Sequence, residues 1–243
     1  CALHIAGSNE PDIEKARKKF EMSVSAHEQA IAKLKQLNMS STNIVQVLDV
    51  HGWALNNFGW KLMANGDNEG GRKQLKRALE VFDMILEYDP NNDLAYSKKA
   101  DALKSLGRLT EAVECYEKAI SSQLAKGAKP GYWILWKADA YNKMGDKQKY
   151  EAELRRSIEI DPSFEKGYLT LIQFYVNSDR RQEALQVCES GLAQLPNSAL
   201  LIELHANILF TMDKFGESVA EYEKLVKLDP SRESNIAPAL HAA

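Results

Sequence analysis

The chain has 243 residues, 44% hydrophobic and 27% charged, with only 7 Pro and 13 Gly, a composition that suits a soluble, mostly helical protein and excludes a wholly disordered one. A formal charge of -3 gives no bulk attraction to phosphate backbones, and no long Lys/Arg run supplies a local one, so nucleic acid is not an expected ligand. No apolar run approaches the roughly 18 to 20 residues that span a bilayer, so no transmembrane segment is expected.

Residues 1–10 are expected to be a flexible segment. They begin with Cys1 and not Met. Either this is an arbitrary boundary, with the cytoplasm as the default compartment, or Cys1 is the lipid-modified first residue of a bacterial envelope protein. The next stretch, "PDIEKARKKFEMSVSAHEQAIAKLKQL", places Ile13, Ala16, Phe20, Val24, Ile31 and Leu34 near helical spacing, with Pro11 suited to a first turn. Residues 11–43 are therefore expected to hold one long helix packed on the helical array beyond it. Ser41 to Asn43 supply polar cap candidates for a helix ending near Ala64.

From residue 44 to 230 the pattern is one of paired helices. The clearest pair, "AYSKKADALKSLGRLTEAVECYEKAI" from Ala95, repeats apolar or small residues at three- and four-residue steps on both sides of a turn containing Gly107. Later units align with it and end at Pro162, Pro196 and Pro230, which lie 34 residues apart. The turn in each unit falls on Gly107, Gly145, Asp179 or Asp213, residue types that tolerate positive φ. Gly66-Asp67 has the same character. It defines an irregular repeat over 44–92, with Leu55, Phe58, Gly59 and Leu62 before the turn and Ala78, Phe82 and Pro90 after it. Its second helix is expected to start about two turns early, because "NEGGRKQLKR" separates Asp67 from Ala78 where regular units have four residues. The remaining repeats are 93–130, which ends in the smaller insertion "SSQLAKGAKP", then 131–164, 165–198 and 199–230. Residues 231–243 form a short tail.

Two cysteines, Cys115 and Cys188, fall two repeats apart, too far for a disulfide, and read as small core residues. Neither the cysteines nor the five histidines have metal-ligand spacing. There is no Gly-rich phosphate loop, no His-Glu metal helix and no nucleophile with a discernible base, so neither a cofactor nor catalysis is expected.

These units resemble the tetratricopeptide repeat family, whose pattern sets an aromatic, Leu, a small residue and Tyr in the first helix, then Ala, an aromatic and Pro in the second. Here the first-helix positions are Tyr96, Lys99, Ala100 and Leu103; Ile134, Lys137, Ala138 and Tyr141; Tyr168, Leu171, Ile172 and Tyr175; and Ile202, His205, Ala206 and Leu209. In the second helices stand Ala112 with Tyr116, Tyr150 with Leu154, Ala184 with Cys188, and Ser218 with Tyr222. Lys99 and Lys137 depart from Leu, and their stems are expected to cover apolar surface while the ammonium reaches water. The resemblance implies an all-α solenoid of about five helix pairs with the amino-terminal helix as a cap. It also implies that the first helices line a concave groove for a peptide or helix of a protein partner.

The inward offsets of those helices are Trp53, Asn56, Trp60 and Met63; Ser97, Asp101 and Lys104; Tyr132, Leu135, Asp139 and Asn142; Leu169, Gln173 and Val176; and Glu203, Asn207 and Phe210. The amides suit pairing with a peptide backbone, and the carboxylates Asp101, Asp139 and Glu203 imply a mildly acidic groove. Family members that capture acidic chaperone termini use Lys, Asn and Arg at these offsets. Ser97, Asp101, Leu135, Asp139 and Glu203 stand here instead, so that specialised role is not implied. A noncatalytic adaptor is therefore the expected function, and a structural subunit that self-associates through its carboxy-terminal edge is the alternative.

Overall fold

A computed structural model describes residues 13–36 and 40–232, so the first ten residues with Cys1, and the tail beyond 232, lie outside the described residues. Among the described residues all regular structure is helical. Six helices, α1 (Ile13–Gln36), α2 (Ser41–Ala64), α3 (Asn68–Tyr88), α4 (Asp93–Ser105), α5 (Leu109–Ala125) and α6 (Gly131–Met144), fall in one compact unit. Five more, α7 (Lys147–Ile160), α8 (Glu165–Asn177), α9 (Arg181–Gln194), α10 (Ala199–Thr211) and α11 (Phe215–Leu228), fall in a second unit that begins at Asp146. The division falls within the segment 131–164. A single 3-10 turn, Pro230–Arg232, packs on α11.

Local chemistry explains the boundaries. Gly66, Gly107 and Gly145 adopt φ of 89°, 78° and 79°, and Asp179 and Asp213 reach 55° and 60°, as the turn residues require. Paired backbone bonds close these turns, for example Arg108 N–H to Leu103 O at 2.9 Å with Gly107 N–H to Lys104 O at 3.1 Å. Side-chain caps then start several helices: Asp67 accepts from Gly70 N–H, Asn92 from Ala95, Asp146 from Lys149 and Ser198 from Leu201. The stops come from proline. Asp89, Asp161, Leu195 and Asp229, each preceding a Pro, sit at φ between -130° and -139°, because the proline ring disfavours helical backbone in the residue before it.

In the first unit each helix packs against the next, and α1 lies on α2. The inserted residues of α3 are helical and are not a loop, and they make the α2–α3 pair longer than the others. Two glycines let these backbones approach. A Cβ on Gly59 would lie 2.9 Å from Gly71 O, and one on Gly71 would lie 2.6 Å from Gly59 O. In α4–α5 the small residue is Ala100, and Tyr116 is fully buried. Lys99 pairs with Asp83, whereas Lys137 departs from the expectation that its ammonium reaches water. It is buried, donates to Glu117 at 2.6 Å and lies over the Tyr141 ring.

The second unit repeats the arrangement from α7 to α11, neighbour on neighbour. Its core includes Leu154, Tyr168, Leu171, Ile172, Tyr175, Ala184, Cys188, Ala206 and Tyr222. Cys115 and Cys188 are both free and buried, and burial pushes the Cys188 thiol up to about 12.

Candidate functional site

In the first unit, the first helices of successive pairs are tied into one face. On α2, Asp49, Trp53, Asn56, Trp60 and Met63 succeed one another at four- and three-residue steps, which places them on one side of the helix. At one end Asp49 accepts from Lys98 of α4 at 2.6 Å. Further along α4, Lys104 lies 3.1 Å from Asp139 of α6 and 3.8 Å from Asp101. Two ion pairs therefore join α2 to α4 and α4 to α6. The expected acidity of this stretch is corrected by the same geometry, since Lys104 stands between its two carboxylates and Lys143 approaches Asp139 at 3.6 Å.

Large apolar groups remain on the surface of this unit. Trp60 is 61% exposed, Tyr132 59% and Trp53 39%. Tyr132 packs beside Trp136 on the same turn of α6, ring centroids 6.4 Å apart. Leu135, Met63 and Asn56 are half-buried, and Asn142 is exposed. Asn56 turns a buried Oδ1 inward with no hydrogen-bond partner among the described residues. Ser97 does not offer itself to a ligand. It is buried and donates its hydroxyl to Leu94 O.

Asp101 is held from beneath. The Tyr116 hydroxyl of α5 donates to its carboxylate, and Lys104 lies 5.5 Å from the centroid of the same tyrosine ring. Burial pushes the Asp101 carboxyl above its ordinary range despite the tyrosine bond and Lys104, and burial followed by the Asp101 charge pushes the Tyr116 phenol up.

In the second unit, α8 carries Leu169 half-buried, Gln173 exposed and bonded to Asn177 at 2.7 Å, and Val176 exposed. On α10, Glu203 is half-buried, Asn207 accepts from the Tyr222 hydroxyl at 2.6 Å, and Phe210 packs edge-on to Phe215. Tyr116–Asp101 and Tyr222–Asn207 are each 15 residues apart, so one repeat geometry produces the same reach from second helix to first in both units. A separate cluster lies on α7–α9. Glu151 accepts from Arg180 at 2.6 Å, from Arg155 at 3.3 Å and from the Tyr175 hydroxyl, with both guanidinium groups against the Tyr175 ring. Burial opposes its ionisation, yet these three donors hold the Glu151 carboxyl below the usual range.

Helical spacing alone did not single out Asp49, Lys98 and Trp136. Asp49 and Trp136 each had a signal, standing four residues from Trp53 and Tyr132 on the same helix sides. Lys98 had none, because its role depends on which helix lies beside it. Among the described residues no three His, Cys, Asp or Glu side chains are grouped to hold a metal, and no helix is long and apolar enough to cross a membrane.

Within each unit, antiparallel helix pairs with glycine or aspartate turns, proline stops and buried second-helix tyrosines define a helical-repeat scaffold of the kind that serves in protein interactions. The tetratricopeptide repeat model matches residues 94–125, 134–164 and 202–232. These three segments of the chain are therefore tetratricopeptide repeats. The chain is 39% identical over 62 residues to tetratricopeptide repeat protein 21B of Xenopus laevis, a match spanning 25% of this chain and 5% of that protein. Among solved structures, BtubC (BKLC) from P. vanneervenii superposes with a TM-score of 0.57 at 14% identity, covering 88% of this chain and 92% of its own. YrrB, described as a TPR protein with an unusual peptide-binding site, gives 0.48 at 19% identity, with 84% and 97% covered.

Proposed function

We propose that the chain is a noncatalytic adaptor that binds an apolar-anchored peptide or helix of a partner protein on the joined face of α2, α4 and α6. The observation that carries this reading is the exposure of Trp53, Trp60 and Tyr132 on helices whose intervening charges are already paired. An aromatic surface of this kind is costly to leave in water and favours an occupant with apolar side chains. The paired Lys98, Lys104, Asp49 and Asp139 then act as a polar rim more than as charge attractors. Asn56 supports the reading as well, since an inward-turned amide with an unsatisfied acceptor can reorient toward a peptide backbone. Met63, Asp101 and Leu135 complete this candidate face. On the second unit, Leu169, Gln173, Val176, Glu203, Asn207 and Phe210 form the corresponding candidate faces of α8 and α10.

The test is affinity capture from native extract, comparing wild type with a Trp60→Ala, Tyr132→Ala double variant of equal helical content. Loss of specific co-purifying proteins, by about tenfold or more as expected when two aromatic anchors are truncated, supports the face. Unchanged capture moves binding elsewhere on the molecule, and recovery of only the chain itself favours self-assembly.

A further inference from the structure

We propose that His27 and His51 form an acid-operated latch that holds α1 on α2 and α3 at neutral pH and releases it on mild acidification. The buried side of α1 is Ala16, Phe20, Ser23, Val24 and His27, a seam at helical steps that covers α2. Within it Phe20 stacks on Phe58 at 4.8 Å, and with Ala16 and Leu62 these rings form one core cluster. Where the seam continues, the His27 and His51 rings meet edge to face at 5.7 Å, only 7% and 4% exposed. The His51 Nδ1 atom is buried with no hydrogen-bond partner. Ion pairs lie on either side, Arg17 of α1 to Asp67, the residue that caps α3, at 2.9 Å, and Glu28 of α1 to Arg77 of α3.

This contact has two charge states with opposite consequences. With both imidazoles neutral, the two rings pack edge to face without mutual repulsion. Protonated, they set two cations against each other in a buried seam, with the Arg77 guanidinium of α3 adding a third. Glu28, next to His27 in sequence, is half-exposed and already engaged by Arg77. Burial pushes both imidazoles down, and the His27 and Arg77 charges help bring His51 to about 4. Because the folded value lies below the ordinary value of about 6.5, the stabilisation is complete above that value and is lost as pH falls from about 6.5 toward about 4. Release would bare Phe20, Phe58 and Leu62, a change that does not depend on the partner face proposed above.

Hydrogen exchange read by mass spectrometry on the full chain, corrected for intrinsic rates, tests the latch at pH 7.5 and pH 5.0. Protection of α1 should fall at least about tenfold relative to α4 in the same molecule, a discount from the full His51 shift for partial solvent access. In a His27→Gln, His51→Gln double variant the ratio should be independent of pH. Equal protection at both pH values in the wild type, or an undiminished pH response in the double variant, overturns the proposal. Should the double variant fail to fold, the imidazole signals of wild type are followed by NMR. Titration of both near 6.5 without loss of the Phe20–Phe58 contact overturns it, and titration well below 6.5 coupled to loss of that contact supports it.

Discussion

The α2–α3 and α10–α11 pairs solve the same packing problem by different means. In α10–α11 the helices are spaced by Ala206 and Tyr222, and Ser218 donates to the Ala206 carbonyl at 2.9 Å. In α2–α3 the extra turns bring Gly59 and Gly71 face to face, with Gly52 set against the Phe82 ring. A side chain separates one pair, and the absence of one defines the other. A long hairpin thus gains length without a wider gap, at the expense of tolerance to substitution.

The most damaging way to break this comparison is Gly71→Val. The new side chain would start 2.6 Å from the Gly59 carbonyl and 2.4 Å from Met63, so backbone must move, and urea unfolding should show a loss of about 3 kcal/mol. A change below about 1 kcal/mol would mean that the helices separate easily and that close approach is not what holds them.

A smaller effect sharpens the comparison at Asp101 and Asn207, which occupy one repeat position and accept from equivalent tyrosines. Because burial raises the folded Asp101 value above that of the unfolded chain, its contribution is present below the unfolded value and is lost as pH rises through the folded one. Asp101→Asn, which copies the second unit, should therefore leave the protein as stable or about 0.5 kcal/mol more stable at pH 7. The discount reflects a side chain 37% exposed and paired with Lys104. The two proteins should converge below about pH 4 in thermal melts, and marked destabilisation by Asn at pH 7 would show that the Lys104 pairing dominates.

The mildest change is the counterpart of the first. Gly216, in the first turn of α11, has nothing within 4 Å of a built Cβ, so Gly216→Ala should raise stability by about 0.5 kcal/mol through helix propensity alone. Thermal melts of Gly216→Ala and Gly71→Val together separate a glycine kept for space from one that packing leaves free.

The sequence by itself determined the repeat, the turns and the stops. These depend on residues within a few positions of each other: positive φ at Gly107 or Asp179, an extended residue before Pro162 or Pro230, and a small residue at Ala100 or Ala206. Part of the candidate face was also legible, because helical steps alone place Trp53 and Trp60 together. Whether Asp101 and Asp139 make the face acidic was not legible. That depended on Lys104, whose charge lies between them only once α4 and α6 are neighbours. The Lys137–Glu117 pair, the Gly59–Gly71 contact and the meeting of His27 with His51 were decided by tertiary structure for the same reason. Each joins residues 12 to 24 positions apart, and their chemistry exists only at separations of a few ångströms that helix packing sets.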